Sequence, residues 1–248
     1  MALQEDFERQ GNWLFRYRGV LPIAILAIGV AVFALTVNSG RLAGALLPHW
    51  HLYEYSCLAV SLVGLVVRIL TVGYTPAGTS GRNTKEQVAE CLNKTGIYSV
   101  VRHPLYLGNF LMWLGIALLT CNAWFVAVFV VIYWIYYERI MYAEEQFLRR
   151  KFGHDYLEWA SRTPALLPRP KGFASPAYPF SWKKIVKKEK NGCFALLLIF
   201  CLFDSVMAAS ADIRPNGLLI ILAIVSCLFY VSVKYLKKHS RLLDEMGR

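Results

Sequence analysis

Residues 104–137 read PLYLGNFLMWLGIALLTCNAWFVAVFVVIYWIYY. Apolar side chains fill both halves, and the pair Cys121-Asn122 separates them. A helix crossing the roughly 30 Å hydrocarbon core needs about 20 such residues. The stretch therefore predicts a membrane hairpin with spans near 104–120 and 122–140. Up one helix and down the next, at about 1.5 Å per residue, the chain returns to the face it left. Arg102-His103 before the hairpin and Glu144-Glu145 after it are thereby predicted to share one polar pocket.

Four further apolar runs, near 20–38, 52–73, 193–211 and 217–235, continue the pattern along a chain of 248 residues that is 56% hydrophobic. The expected fold is all-α, an integral membrane helical bundle of about six transmembrane helices. Glu5, Asp6 and Glu8 precede the first run and no small-residue cleavage site follows it, so it lacks a signal-peptide layout and is expected to stay on the mature protein.

Charge sets the expected orientation. With both termini on one side, that side holds three Lys/Arg before the first span, four in 74–103, twelve in 138–192 and five in the tail. Only Arg41 and Arg214 fall opposite, and Arg68 lies inside a helix near its end. Positive loops stay cytoplasmic, which predicts cytoplasmic termini and a pocket facing the cytoplasm. The net charge of +11 then reflects topology and attraction to anionic headgroups. No nucleic-acid motif accompanies it. Of the six cysteines, Cys91 lies in a loop without a CxxC partner and the rest fall in or at the ends of apolar runs. Neither a disulfide framework nor a metal site is expected from them.

Three regions organise the chain. Residues 1–74 form an N-terminal transmembrane helical pair, with Trp13, Phe15 and Tyr17 placed for a membrane-interface belt. Residues 75–170 carry the chemistry. Residues 171–248 comprise a basic linker and a C-terminal transmembrane pair. Pro164, Pro168, Pro170, Pro176 and Pro179 mark a helix-poor stretch, because proline lacks the amide hydrogen that propagates a helix. The lysines between Lys183 and Lys190 read as a juxtamembrane stop signal.

Within 75–170, Pro104 suits the first turn of a helix, where its missing donor is harmless. Arg102 and His103 then sit at a helix N-terminus, whose free N–H groups and partial positive charge favour a carboxylate. Glu144-Glu145 are expected at a helix C-terminus, against the dipole, in a role that holds a cation. Upstream, the glycines and hydroxyls around Gly78-Thr79-Ser80-Gly81, with Arg82, are suited to an oxyanion such as a phosphate.

Taken in order, Gly96-x-Tyr98, Arg102-His103-Pro104-x-Tyr106-x-Gly108, a helical hairpin, Glu144-Glu145 and Phe152-Gly153-x-x-Tyr156 resemble the isoprenylcysteine carboxyl methyltransferase family and its phospholipid methyltransferase relatives. The resemblance covers about residues 83–168. It implies an integral membrane enzyme that uses S-adenosylmethionine. It also implies that Tyr98, His103, Pro104, Leu105, Tyr106 and Glu144 hold that cofactor, with Leu92 and Asn93 in a wrapping loop; Arg102, at the same helix start, is expected from its chemistry to meet the cofactor's carboxylate.

The family's carboxyl methyltransferases place an arginine four residues before the first glutamate. Here that position is Ile140 and Arg139 is its neighbour, about 100° away around a helix. Arg139, Arg82 and Glu145 form the candidate catalytic set. An anionic acceptor needs no general base, whereas an amine would need one from His103 or Glu145. The expected function is S-adenosylmethionine-dependent methylation of an amphiphilic, lipid-like acceptor drawn from the bilayer, with a lipid phosphate as the leading case. Prenylcysteine carboxyl or phospholipid amine methylation is the alternative within the enzyme class. A non-catalytic membrane scaffold or transporter is the alternative outside it.

Overall fold

The computed structural model describes residues 2–40, 47–76, 78–79 and 87–245. Among them there are eight α-helices and no strand. The helices are α1 (Leu3–Arg16), α2 (Val20–Asn38), α3 (Trp50–Gly73), α4 (Pro104–Leu119), α5 (Ala123–Phe152), α6 (His154–Arg162), α7 (Trp182–Ala211) and α8 (Gly217–His239). Five helical segments are long and apolar enough to cross a membrane: α2, α3 with the short turn before it, α5, α7 and α8. The sixth expected span folds as α4, whose 16 residues extend only about 24 Å. Large aliphatic side chains on α2, α5 and α8 stay exposed, among them Ile23, Leu35, Val131 and Leu228, as lipid-facing positions require.

The turn inside the hairpin is built as its residues predict. Cys121 takes a positive φ of 52°. Asn122 caps α5 by accepting a hydrogen bond from the Phe125 amide at 2.9 Å. At the other end of the chemistry-bearing region, Gly153 with φ +52° separates α5 from α6, a conformation that glycine adopts without a Cβ penalty.

Close approach of α3 and α4 sets the frame. A Cβ built at Gly64 would lie 2.5 Å from the Gly108 carbonyl oxygen, and one at Gly115 would lie 2.1 Å from Ser61 Oγ. The two backbones are therefore in contact, in the manner that small residues permit between membrane helices. Ser61 Oγ also donates to the Met112 carbonyl at 2.9 Å across the seam. Phe33, Trp50, Phe200, Phe203 and Leu219 fill one core among α2, α3, α7 and α8, and Phe15, Phe129, Tyr133, Tyr137 and Ile140 fill a second between α1 and α5.

Several elements differ from the expectations. The N-terminal segment before the first span is itself a helix, α1, which docks on α5. Gly11 allows this, since a Cβ there would meet the Arg139 carbonyl at 2.0 Å, and Tyr136 donates to the Leu14 carbonyl at 3.0 Å. The fourth span does not end near 140. It continues to Phe152, so Glu144 and Glu145 lie in the body of α5, and the argument from a helix C-terminus does not apply to them. The lysines near 183–190 are likewise part of a continuous α7. Lys184 is buried and donates to the Thr75 and Pro76 carbonyls at 2.6 and 3.0 Å, satisfying the chain end beyond α3.

The glycine seam makes a direct prediction. Gly115→Val must force α3 and α4 apart, and overpacking of this kind costs about 1–3 kcal/mol. Thermal unfolding of the purified variant in detergent should show a lower midpoint than wild type; an unchanged midpoint would contradict backbone contact at Gly115.

Candidate active site

The N-terminus of α4 is fixed from two directions. From one side the proline-bearing segment after α6 runs alongside it. The Arg102 amide donates to the Pro164 carbonyl at 2.9 Å and the His103 amide to Ala165 at 3.1 Å, while Arg169 and Gly96 amides donate to Val100 and Ala174. From the other side come the α5 carboxylates. Arg102 Nη1 lies 3.3 Å from Glu145, and His103 Nε2 lies 2.9 Å from Glu145 Oε1. The adjacent Glu144 accepts from the Tyr106 hydroxyl at 3.0 Å, and His103 Nδ1 stands 3.7 Å from the same oxygen. Tyr106 is backed by Tyr137 at a ring separation of 5.1 Å, and its carbonyl receives the Tyr133 hydroxyl at 2.9 Å.

These contacts enclose a cavity of about 820 Å³, within the range of roughly 300–1,000 Å³ usual for small-molecule sites. Leu92, Asn93, Tyr98, Arg102, His103, Pro104, Leu105, Tyr106 and Glu144, the nine residues expected to hold the cofactor, all line it. Gly78 turns the loop beneath: its φ of +71° brings it against Glu90, where a Cβ would lie 2.3 Å from the carboxyl carbon. Trp159 of α6 closes the wall by donating to the Tyr98 carbonyl at 3.0 Å. Burial pushes the Tyr98 hydroxyl well above its ordinary range, with the charge of Glu144 adding to the effect, so the phenol stays neutral.

Two members of the expected catalytic set, Arg139 and Glu145, are not among the residues that line the cavity. Arg139 points toward α1, where its guanidinium covers the Phe7 ring at 3.5 Å and pairs with Glu138, and it is not among the cavity-lining residues. Its register on α5 explains this, because the face toward the cavity carries Tyr137, Glu144 and Leu148. Glu145 lies behind the wall, held by Arg102 and His103. Arg82 falls outside the described residues.

Other groups reach the cavity that sequence patterns did not single out. Arg68 crosses from α3 past Gly108 and forms a two-pronged pair with Glu189 of α7, 2.8 Å at each contact, with Asn109 on its remaining nitrogen. A charge stranded in an apolar helix was the available signal, since such residues need a partner. Arg18, between α1 and α2, lines the same cavity and stacks over Phe15 at 4.1 Å. Phe15, Pro22 and Trp113 supply an apolar side to the cavity.

Comparison with known proteins agrees with this architecture. The family model described as phospholipid methyltransferase matches residues 55–155. The chain is 33% identical over 125 residues to protein-S-isoprenylcysteine O-methyltransferase B of Arabidopsis thaliana, covering 48% of this chain and 61% of that protein. It is 31% identical over 134 residues to the Saccharomyces cerevisiae protein-S-isoprenylcysteine O-methyltransferase, covering 50% and 56%. It is also 33% identical over 160 residues to the nickel-cobalt-cadmium resistance protein NccN of Alcaligenes xylosoxydans xylosoxydans, covering 64% of this chain and 68% of that one. The chain belongs to this family of integral membrane proteins. Its matches to the first two relatives span 61% and 56% of their lengths. No solved structure matches significantly.

Glu144 is the carboxylate on the cavity wall, whereas Glu145 is tied behind it. For the cofactor expected from the sequence, Glu144→Gln should weaken binding of its product analogue S-adenosylhomocysteine by about 1.5–3 kcal/mol, the scale of a charge-assisted hydrogen bond. Calorimetry on the folded variant measures this, and wild-type affinity would contradict a ligand-facing role for Glu144.

Proposed function

We propose that the chain is an S-adenosylmethionine-dependent methyltransferase acting on the anionic oxygen of an amphiphilic acceptor. The carrying observation is that groups of opposite charge, Glu144 and Arg102, line the same cavity. Among the described residues, Tyr106 and His103 approach Glu144 through Oε2, and Oε1 is suited to a ligand ammonium. Arg102 supplies a guanidinium to the cavity lining, a group suited to a ligand carboxylate. A zwitterionic amino-acid end fits this pair. Tyr98 and Trp159 offer flat surfaces for an adenine ring. S-adenosylmethionine supplies an electrophilic methyl group on a sulfonium whose positive charge disappears on transfer.

What the protein itself contributes is orientation and exclusion of water. His103 and Arg102 are held by Glu145 and by the return segment, so the donors that meet the cofactor are pre-positioned. The acceptor side is formed by Phe15, Pro22 and Trp113, which suit an apolar anchor, and by Arg18, which suits an anionic head. An ionised oxygen acceptor requires no proton abstraction, consistent with His103 and Glu145 being engaged with each other at 2.9 Å. A carboxylate on a lipid-like thioether is the acceptor we favour, because relatives bear the name isoprenylcysteine O-methyltransferase. A lipid phosphate gripped by Arg82 rests on sequence alone. The excess of Lys and Arg in the loops on the cavity side supports a cavity that opens to the cytoplasm.

The test is to supply purified protein with methyl-labelled S-adenosylmethionine and either N-acetyl farnesylcysteine or a lipid extract. The expected product is a base-labile ester on the farnesylcysteine carboxylate. Arg18→Ala should raise the apparent KM for that acceptor at least about tenfold, the loss of one charge-assisted contact, and Arg139→Ala should behave like wild type. Label found only on lipid phosphate, or activity lost with Arg139→Ala and kept with Arg18→Ala, would overturn the acceptor assignment.

A further inference from the structure

Far from the cavity, α3 and α7 bring a second polar group together. Glu54 precedes Arg68 by fourteen residues and Asp204 follows Glu189 by fifteen, which places them about 20 Å along the helices from the cavity floor. Both carboxylates are inaccessible to solvent, Glu54 at 0% and Asp204 at 1% exposure. His51, one turn before Glu54 and 43% exposed in its side chain, covers them from the surface. Among the described residues His51 is the one cation-capable side chain beside either acid.

The arrangement is preset yet incomplete. Asn216, which caps α8, donates its side-chain amide to Glu54 Oε2 at 2.9 Å and its backbone amide to Asp204 Oδ2 at 2.6 Å. Tyr55 in turn donates to Asn216 Oδ1 at 3.0 Å. Two atoms remain buried with no hydrogen-bond partner: Glu54 Oε1 and His51 Nδ1. A buried acceptor of this kind is costly unless something binds it. His51 Nδ1 lies 3.6 Å from Glu54 Oε2 and 3.8 Å from Asp204 Oδ1. Those separations are slightly too long for hydrogen bonds and close to the spacing of ligands around one ion. Ligand atoms roughly 2.0–2.2 Å from a tetrahedral metal lie about 3.4 Å apart.

We propose that His51, Glu54 and Asp204 form a binding site for a divalent transition-metal ion. One imidazole nitrogen and two carboxylate oxygens suit zinc and cobalt, with a fourth position open to water on the His51 side. The ion binds the His51 imidazole and the Glu54 carboxylate, each of which holds an orphaned atom, beside Asp204 Oδ1, which also accepts from Trp50 Nε1 at 3.4 Å. Asn216 orients both acids, so the site ties α3, α7 and the start of α8 together. No such site was expected from the sequence, because its three ligands belong to no spaced motif and the third is 150 residues from the second.

The test uses the whole chain, purified in detergent and stripped with a chelator, and titrated with Co²⁺ alone. Wild type should take up one equivalent with visible d–d absorption, displaced by Zn²⁺. Glu54→Gln and Asp204→Asn should each weaken binding at least about tenfold, the minimum even for residues that only orient ligands. If either fails to fold, His51→Ala, at the partly exposed position, still serves and should lose affinity to the same degree. A wild-type protein that binds no cobalt would overturn the proposal and leave the acids as a proton-sharing pair. Cobalt binding that survives both His51→Ala and Glu54→Gln would overturn it equally.

Discussion

Two neighbouring glutamates on α5 do different work, and the site depends on that division. Side chains one residue apart point about 100° apart around a helix. Glu145 therefore turns toward Arg102 and His103 and fixes the start of α4 to α5, while Glu144 turns to the cavity and meets Tyr106. Arg102 is a partly buried charge and His103 a buried hydrogen-bonding ring, and both would otherwise be stranded at a membrane helix end. Glu145 answers both, and so the cavity wall is held without engaging the carboxylate that faces inward.

The frame that makes this possible is close contact between α3 and α4. Gly64, Gly108 and Gly115 remove the side chains that would separate the helices. Arg68 uses the space beside Gly108 to reach Glu189 and Asn109, so a packing device also supplies a polar floor to the cavity. At the far end of α3, that helix meets α7 again at Glu54 and Asp204. Buried ionisable groups thus sit at both ends of the α3–α7 contact: Arg68 is paired with Glu189 at one end, and at the other Glu54 and Asp204 lie together beside His51.

Much of the fold was legible because apolar length and turn chemistry are local properties. The pair Cys121-Asn122 marked the hairpin turn, Pro104 marked the first residue of α4, and the prolines from 164 onward marked the non-helical return. What escaped depended on registers and on partners far along the chain. The helix α1 is amphipathic and short, and its docking relies on Gly11 meeting α5. The lengths of α5 and α7 were underestimated, since charged residues end an apolar run without ending a helix. Arg139 was read as a pocket residue from its place next to a motif, yet its azimuth on α5 directs it to Phe7. The motif residues from Tyr98 to Tyr106 were legible as a group because they are contiguous. Arg18, Arg68 and Glu189 were not, because only folding brings them to the cavity.

The central claim is that this cavity holds a nucleoside with an amino-acid end. Titrating S-adenosylhomocysteine into the purified protein, reconstituted in lipid nanodiscs and followed by calorimetry, tests it most directly. The account predicts saturable binding of one molecule per chain, competed by S-adenosylmethionine. A cooperatively folded protein that shows no saturable binding of either compound would contradict it.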